Sequence, residues 1–276
     1  MNLKFVIRGV LIGVPATCLL FLIGLVILLP RTPLGSPPAP TPLPPSIAAP
    51  RGEMPSGPVG LAEYAQYRGS EYVPAGSGFV LELESGGLVG VTTAHSLALG
   101  DPDRPLEWIA LRVPGQPGDV AEFDTLYGMP GRPMDGPDLS IDYVLLLVDG
   151  PIDPTLVLAP DPRGGPQPGE RVSLWSGTGG GQGGRYELSG TVQSANEGAA
   201  WVLMDKESFN PGMMSGSPFV SHHTGRVVGM AIAASPRHLR LIPPRYQVML
   251  GMHPIGSIVE KAEAADAFPT ISTYQR

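Results

Sequence analysis

The stretch GMMSGSPF, residues 212 to 219, poses the question on which the reading of this chain depends. Its first serine, Ser215, lies in a glycine-flanked turn ahead of the short apolar run PFV. A serine hydroxyl is a poor nucleophile at neutral pH and needs a base within hydrogen-bond reach. Histidine suits that role, because an unperturbed imidazole with a pKa of about 6.5 is mostly neutral at pH 7. A carboxylate on the other ring nitrogen fixes the tautomer and stabilises the imidazolium. Glycines beside the serine let backbone N–H groups turn toward a developing oxyanion. Alone, SGSP is ordinary turn chemistry, so its partners have to be sought elsewhere in the chain.

Two other polar residues stand at the edges of apolar runs. His95 closes LVGVTTAH, residues 88 to 95, which follows the turn GSGF at 76 to 79. Asp142 opens DYVLLLV, residues 142 to 148. A strand end is where a rigid scaffold can aim a side chain into a cleft. Each signal has a structural reading as well: a histidine at a strand end, or an aspartate before an apolar run, is ordinary turn or edge chemistry. Asp138, in PDLSI, is a second candidate acid, but VLLLV behind Asp142 is the better buried strand. Ser217 lacks a following SG-P pattern and is read as a turn residue. His222, His223, His238 and His253 fall in apparent loops and receive no role. Gly179, Gly181 and Gly184 match GxGxxG, yet YELSGTV follows them as a strand. A dinucleotide site requires a helix there.

Composition sets the class. The chain has 276 residues, 37 glycines and 33 prolines, with only 16% charged residues, which favours turns and strands over long helices. A net charge of −7 with no basic patch argues against a nucleic-acid partner. The single cysteine, Cys18, permits no intrachain disulfide and no cysteine-based zinc site, and no metal or cofactor is expected. FVLELE, LVGVTTA, WIALRV, DYVLLLV, RVSLW, YELSGTVQSA, WVLMD, RVVGMAIAA and YQVML read as strands, which suggests a β-sandwich or barrels. Only HPIGSIVEKAEAADAF, near the end, carries helical spacing, through Ile255, Ile258, Val259 and Ala262.

The N-terminus has a different character. GVLIGVPATCLLFLIGLVILL, residues 9 to 29, is long enough to cross a hydrocarbon core of roughly 30 Å as a helix. A cleaved signal peptide is the competing reading, but its apolar stretch is usually only about 7–15 residues. Residues 1–30 are therefore read as a transmembrane signal-anchor. Lys4 and Arg8 precede the run and only Arg31 closely follows it, which places the N-terminus in the cytoplasm and the rest outside. Residues 31–58 form a proline-rich linker expected to extend as a spacer, and 59–276 form the folded domain.

Taken in order, GSGF, TTAH, Asp142 before its apolar run, SGSPF and GRVVGM resemble the trypsin-like (chymotrypsin-fold) serine peptidases of the disulfide-free bacterial type. The resemblance covers about residues 70 to 262. It implies two six-stranded antiparallel β-barrels with a C-terminal helix, an all-β fold behind the membrane anchor. It also implies a His95, Asp142 and Ser215 triad, an oxyanion hole from the backbone N–H groups of Met213 and Ser215, and peptide or protein substrates. Phe209 would lie at the base of the substrate pocket, with residues 231–234, including Ala231 and Ala234, along its wall. No acidic residue stands there, so no strong preference for Arg or Lys follows. The stretch after Ser215 is expected to complete the second barrel without an appended peptide-binding module. Two positions depart from the pattern. Met213 stands where the family has glycine, and Met214 stands where it has Asp or Asn, so activation by N-terminal cleavage is not expected. The alternative to a membrane-anchored endopeptidase is a catalytically silent binding module of the same fold.

Overall fold

The computed structural model describes residues 51–178, 186–207, 209–239 and 245–274. The apolar run at 9–29, most of the proline-rich stretch and the glycines of the GxGxxG match lie outside the described residues. Among the described residues no helix is long and apolar enough to cross a membrane. Residues 51–58 lie against the domain: Gly52 N donates to His223 O (3.2 Å), and Met54 packs on buried apolar side chains.

The first half of the domain is a seven-stranded sheet. Its strands are β1 (Leu61–Tyr67), β2 (Tyr72–Glu82), β3 (Leu88–Thr92), β4 (Leu106–Arg112), β5 (Ala121–Phe123), β6 (Val144–Leu147) and β7 (Val157–Leu158). They run in the order β5-β4-β1-β2-β3-β6, with β7 parallel to β2 and the other pairs antiparallel. Leu61, Ala65, Val80, Ile109, Leu111, Phe123 and Leu146 fill its interior. The expected six-stranded barrel is not closed by strands here, because β5 stops after three residues. The chain beyond β5 nevertheless reaches β6: Leu147 N donates to Thr125 O (3.0 Å) and Tyr127 N to Leu145 O (2.8 Å).

The second half is a closed six-stranded barrel, as the resemblance implied. Strands β8 (Arg171–Ser176), β9 (Tyr186–Ala195), β10 (Ala200–Glu207), β11 (Pro218–Ser221), β12 (Val227–Leu239) and β13 (Arg245–Pro254) close in the order β10-β13-β12-β11-β8-β9. Val172, Leu174, Val202, Met204, Phe219, Val228 and Met252 form its core. The β12–β13 register runs from Gly229↔Pro254 to Leu239↔Arg245 and shifts between Ala231 and Ala233. Helix α1 (Ile255–Glu263) follows directly. Ile255 and Ile258 are fully buried and Ala262 nearly so, at the spacing the sequence predicts, and they join residues of both halves in one apolar cluster. Burying each of the two isoleucine side chains is worth about 1.5–3 kcal/mol.

Candidate active site

His95 and Asp142 come from the first half of the domain and Ser215 from the second. His95 stands just past β3, where the chain turns, with its side chain 31% exposed. Asp142 ends a single 3-10 turn (Leu139–Ile141) ahead of β6, and its side chain is fully buried. Its Oδ1 accepts hydrogen bonds from Ala94 N (2.8 Å) and His95 N (3.1 Å), and Oδ2 accepts one from Met134 N (3.1 Å). Oδ2 also lies 2.7 Å from His95 Nδ1, while His95 Nε2 lies 2.8 Å from Ser215 Oγ. Burial pulls the Asp142 pKa upward. The hydrogen bond and charge of His95, with the backbone N–H groups of Met134 and His95, outweigh it and hold the carboxyl below its ordinary value. An ionised carboxylate only accepts, so Nδ1 carries the proton and the Nε2 lone pair meets the Ser215 hydroxyl.

Asp138, the second candidate acid, is engaged elsewhere. It caps the turn at Leu139–Ile141, accepting from Ser140 N (2.9 Å) and Ser140 Oγ (2.7 Å).

The nucleophile turn is held from both sides. Within the second half, Gly216 N donates to Ala231 O (2.8 Å) and Ala231 N to Ser217 O (2.9 Å). Across the seam, Ser77 N of β2 donates to Ser215 O (2.9 Å), and Ser77 Oγ donates to Met213 O (3.0 Å). Thr178 Oγ1 donates to the same Met213 carbonyl (3.0 Å). Gly216 has φ +88°, and a Cβ there would sit 1.8 Å from Ser77 O, so no other residue fits. Met214 is buried in the barrel core, replacing the charged or amide side chain of the resembled family with apolar packing. Among the described residues, Met213 is the one non-glycine with positive φ, at +68°. The N–H groups of Met213 and Ser215 donate to no acceptor among the described residues.

Beside Ser215 lies a small cavity of about 190 Å³ lined by Pro211, Met214, Ala231, Ile232, Ala234 and Leu250, among others. Ala231 and Ala234 are among the residues that line it. Phe209 instead packs against the barrel core, outside the lining. His238 and His253, read as loop residues, belong to β12 and β13, and His253 is fully buried. His222 lies in the turn after β11, with Nε2 2.8 Å from Ser173 Oγ. Sequence reasoning missed Met134 and Ser77, whose roles rest on backbone position and long-range pairing that no local motif records.

No family model and no curated protein matches the sequence. Solved structures similar to the chain include the serine endoprotease from Yersinia pestis, at 17% identity and TM-score 0.47, with 76% of this chain and 63% of that one covered. Kallikrein-related peptidase 10 is similar at 17% identity and TM-score 0.45, covering 76% of this chain and 95% of that one. Deg5 is similar at 18% identity and TM-score 0.44, covering 75% and 88%. The chain spans less than two thirds of the Yersinia pestis protein's length.

Proposed function

We propose that this chain is a membrane-anchored serine endopeptidase. The observation that carries the reading is the unbroken hydrogen-bonded series from buried Asp142 through His95 to Ser215 Oγ. In this mechanism Ser215 Oγ attacks the scissile carbonyl carbon while His95 Nε2 takes the hydroxyl proton. Asp142 holds the ring and stabilises the imidazolium. The N–H groups of Met213 and Ser215 donate to the oxyanion of the tetrahedral intermediate. Its collapse expels the amine leaving group, which takes the proton from His95, and leaves an acyl-Ser215 ester. Water, activated by the same imidazole, then hydrolyses the ester. The cavity beside Ser215 has no charged lining residue, so its fit is to an uncharged side chain rather than to Arg or Lys. The membrane anchor and the extracytoplasmic location rest on residues 1–31 of the sequence.

A second reading, a silent binding module of the same fold, is favoured by one observation. Met213 holds a conformation suited to glycine at the position whose N–H must face the oxyanion. Labelling the full chain with a fluorophosphonate beside a Ser215→Ala control separates the two. Labelling lost only in the control supports the peptidase. A folded chain that refuses the probe moves the binding module ahead.

A further inference from the structure

Glu63, in the middle of β1, is fully buried, and neither of its carboxyl oxygens has a hydrogen-bond partner among the described residues. Its register partners are Gly76 on β2 and Leu111 on β4. The place a Cβ on Gly76 would occupy lies 3.1 Å from Glu63 Oε2, 3.1 Å from Ser96 Oγ and 3.1 Å from the Ser215 carbonyl oxygen. The carboxyl therefore sits in the seam between the two halves, beside the backbone of the nucleophile. The next residue of β2, Ser77, makes the hydrogen bond to that same carbonyl.

Burial pushes the Glu63 carboxyl up to about 8, with only the nearby Thr92 hydroxyl favouring the ionised form. The side chains placed nearest to it are the hydroxyls of Thr92 and Ser96, and the nearest titratable groups of that segment, His95 and its partner Asp142, are engaged with each other. β2 and the nucleophile turn contribute no charged side chain here. Arg112 on β4 is engaged with Asp119 and lies over the Tyr64 ring. Among the described residues no cation is placed to hold a carboxylate at this point.

The geometry points to Glu63 as a positioning residue for Ser215: as a neutral acid it fills the seam, and loss of its proton opens the contact between β2 and the nucleophile turn. The link to catalysis rests on the proposed role of Ser215. The physical reason is that a buried carboxylate with no cation beside it among the described residues is costly, so ionisation is relieved by opening the seam to solvent.

Amide hydrogen exchange on the full chain, read by mass spectrometry for peptides spanning Gly76 and Ser77, tests this against Glu63→Gln and Glu63→Met. Both variants are neutral at every pH, and the second guards against a folding failure of the first. The exchange ratio of wild type to variant is expected to climb about tenfold per pH unit from about 4.5, then level off near the carboxyl's own titration. The climb should be confined to the seam and the nucleophile turn. A flat ratio, or one that climbs equally in β9 and β10, overturns the assignment. Fluorophosphonate labelling of the wild type is expected to fall at alkaline pH while Glu63→Gln retains it; parallel labelling profiles also overturn the assignment. If neither protein labels at any pH while the seam ratio climbs, the peptidase reading fails and the seam assignment stands.

Discussion

Met213 sits at φ +68°, a conformation that costs an L-residue roughly 1–2 kcal/mol. Its carbonyl is held by two hydroxyls, Ser77 Oγ and Thr178 Oγ1, which supply the hydrogen bonds that offset the strain. Met213→Gly relieves the steric clash but adds freedom to the unfolded chain. A net gain of about 1 kcal/mol in unfolding free energy is expected, read as a shift of the urea midpoint. A midpoint that falls would mean the methionine side chain contributes packing beyond its backbone. At this scale the sequence was informative where chemistry is local. The glycines and serines of residues 212–217 announce a turn, and TTAH and DYVLLLV announce strand edges. It was silent about Met134, whose side chain has nothing to do with the N–H it offers to Asp142. Phe209, which the resemblance sets at the base of the pocket, packs against the barrel core beside it.

Among the elements, β1 is the one long strand the sequence hid. LAEYAQY carries Glu63 and Gln66 among its apolar residues, and a buried glutamate disguises a strand that is covered on nearly every side. The connector between the halves shows the same economy of signal. Asp161, Arg163 and Glu170 lie on it as an unremarkable charged scatter, yet they form a buried network. Arg163 Nη2 is 2.7 Å from Asp161 Oδ2 and 2.7 Å from Glu170 Oε1; Glu170 also accepts from Ser221 Oγ at the end of β11, and Asp161 from Thr224 Oγ1 in the turn that follows. Arg163→Met leaves two buried carboxylates without their cation and is expected to cost about 3–5 kcal/mol, measurable by urea unfolding. Burial raises the Asp161 pKa, but hydrogen bonds from Arg163 and Thr224 outweigh it and lower the value overall. A carboxyl lowered in the fold stabilises above its unfolded pKa. The network's contribution is therefore present above about pH 4 and lost as pH falls through the folded value. A loss of less than 1 kcal/mol on Arg163→Met would show the network to be replaceable.

For the whole molecule, two buried groups on opposite halves shape the pH dependence of stability. Burial, helped by the charge of Lys261, holds His253 down to about 3 against an ordinary 6.5, while Glu63 is pushed up to about 8 from 4.5. The histidine's stabilisation is complete above about pH 6.5 and is lost as pH falls toward 3. The glutamic acid's is complete below about 4.5 and is lost as pH rises toward 8. Their slopes, each about 1.4 kcal/mol per pH unit, oppose one another between 4.5 and 6.5. The expected profile of thermal midpoint against pH has a plateau over that interval and descends on both sides, and in Glu63→Gln the plateau gives way to a rise that continues to about pH 6.5 and then levels without the alkaline descent. A maximum above pH 8 in the wild type would contradict it. This architecture was legible only in outline. The strand-rich runs suggest a sandwich or barrels, the resemblance implies two barrels, and the second closes as implied. The first is not closed by strands: β5 spans three residues, and the chain beyond it meets β6 through backbone bonds at Thr125 and Tyr127 that no apolar pattern announces.

The hydrogen bonds from Ser77 to Ser215 and Met213 have a further consequence, one of timing. During synthesis β2 emerges early and the nucleophile turn late, and β12, β13 and α1 later still. The turn acquires its clamp only when a strand made first meets a barrel completed last. Until then Ser215 has no fixed place beside His95. On the proposed reading the nascent chain is harmless to itself and its neighbours while it passes through the membrane, and it becomes a peptidase in the act of finishing its fold.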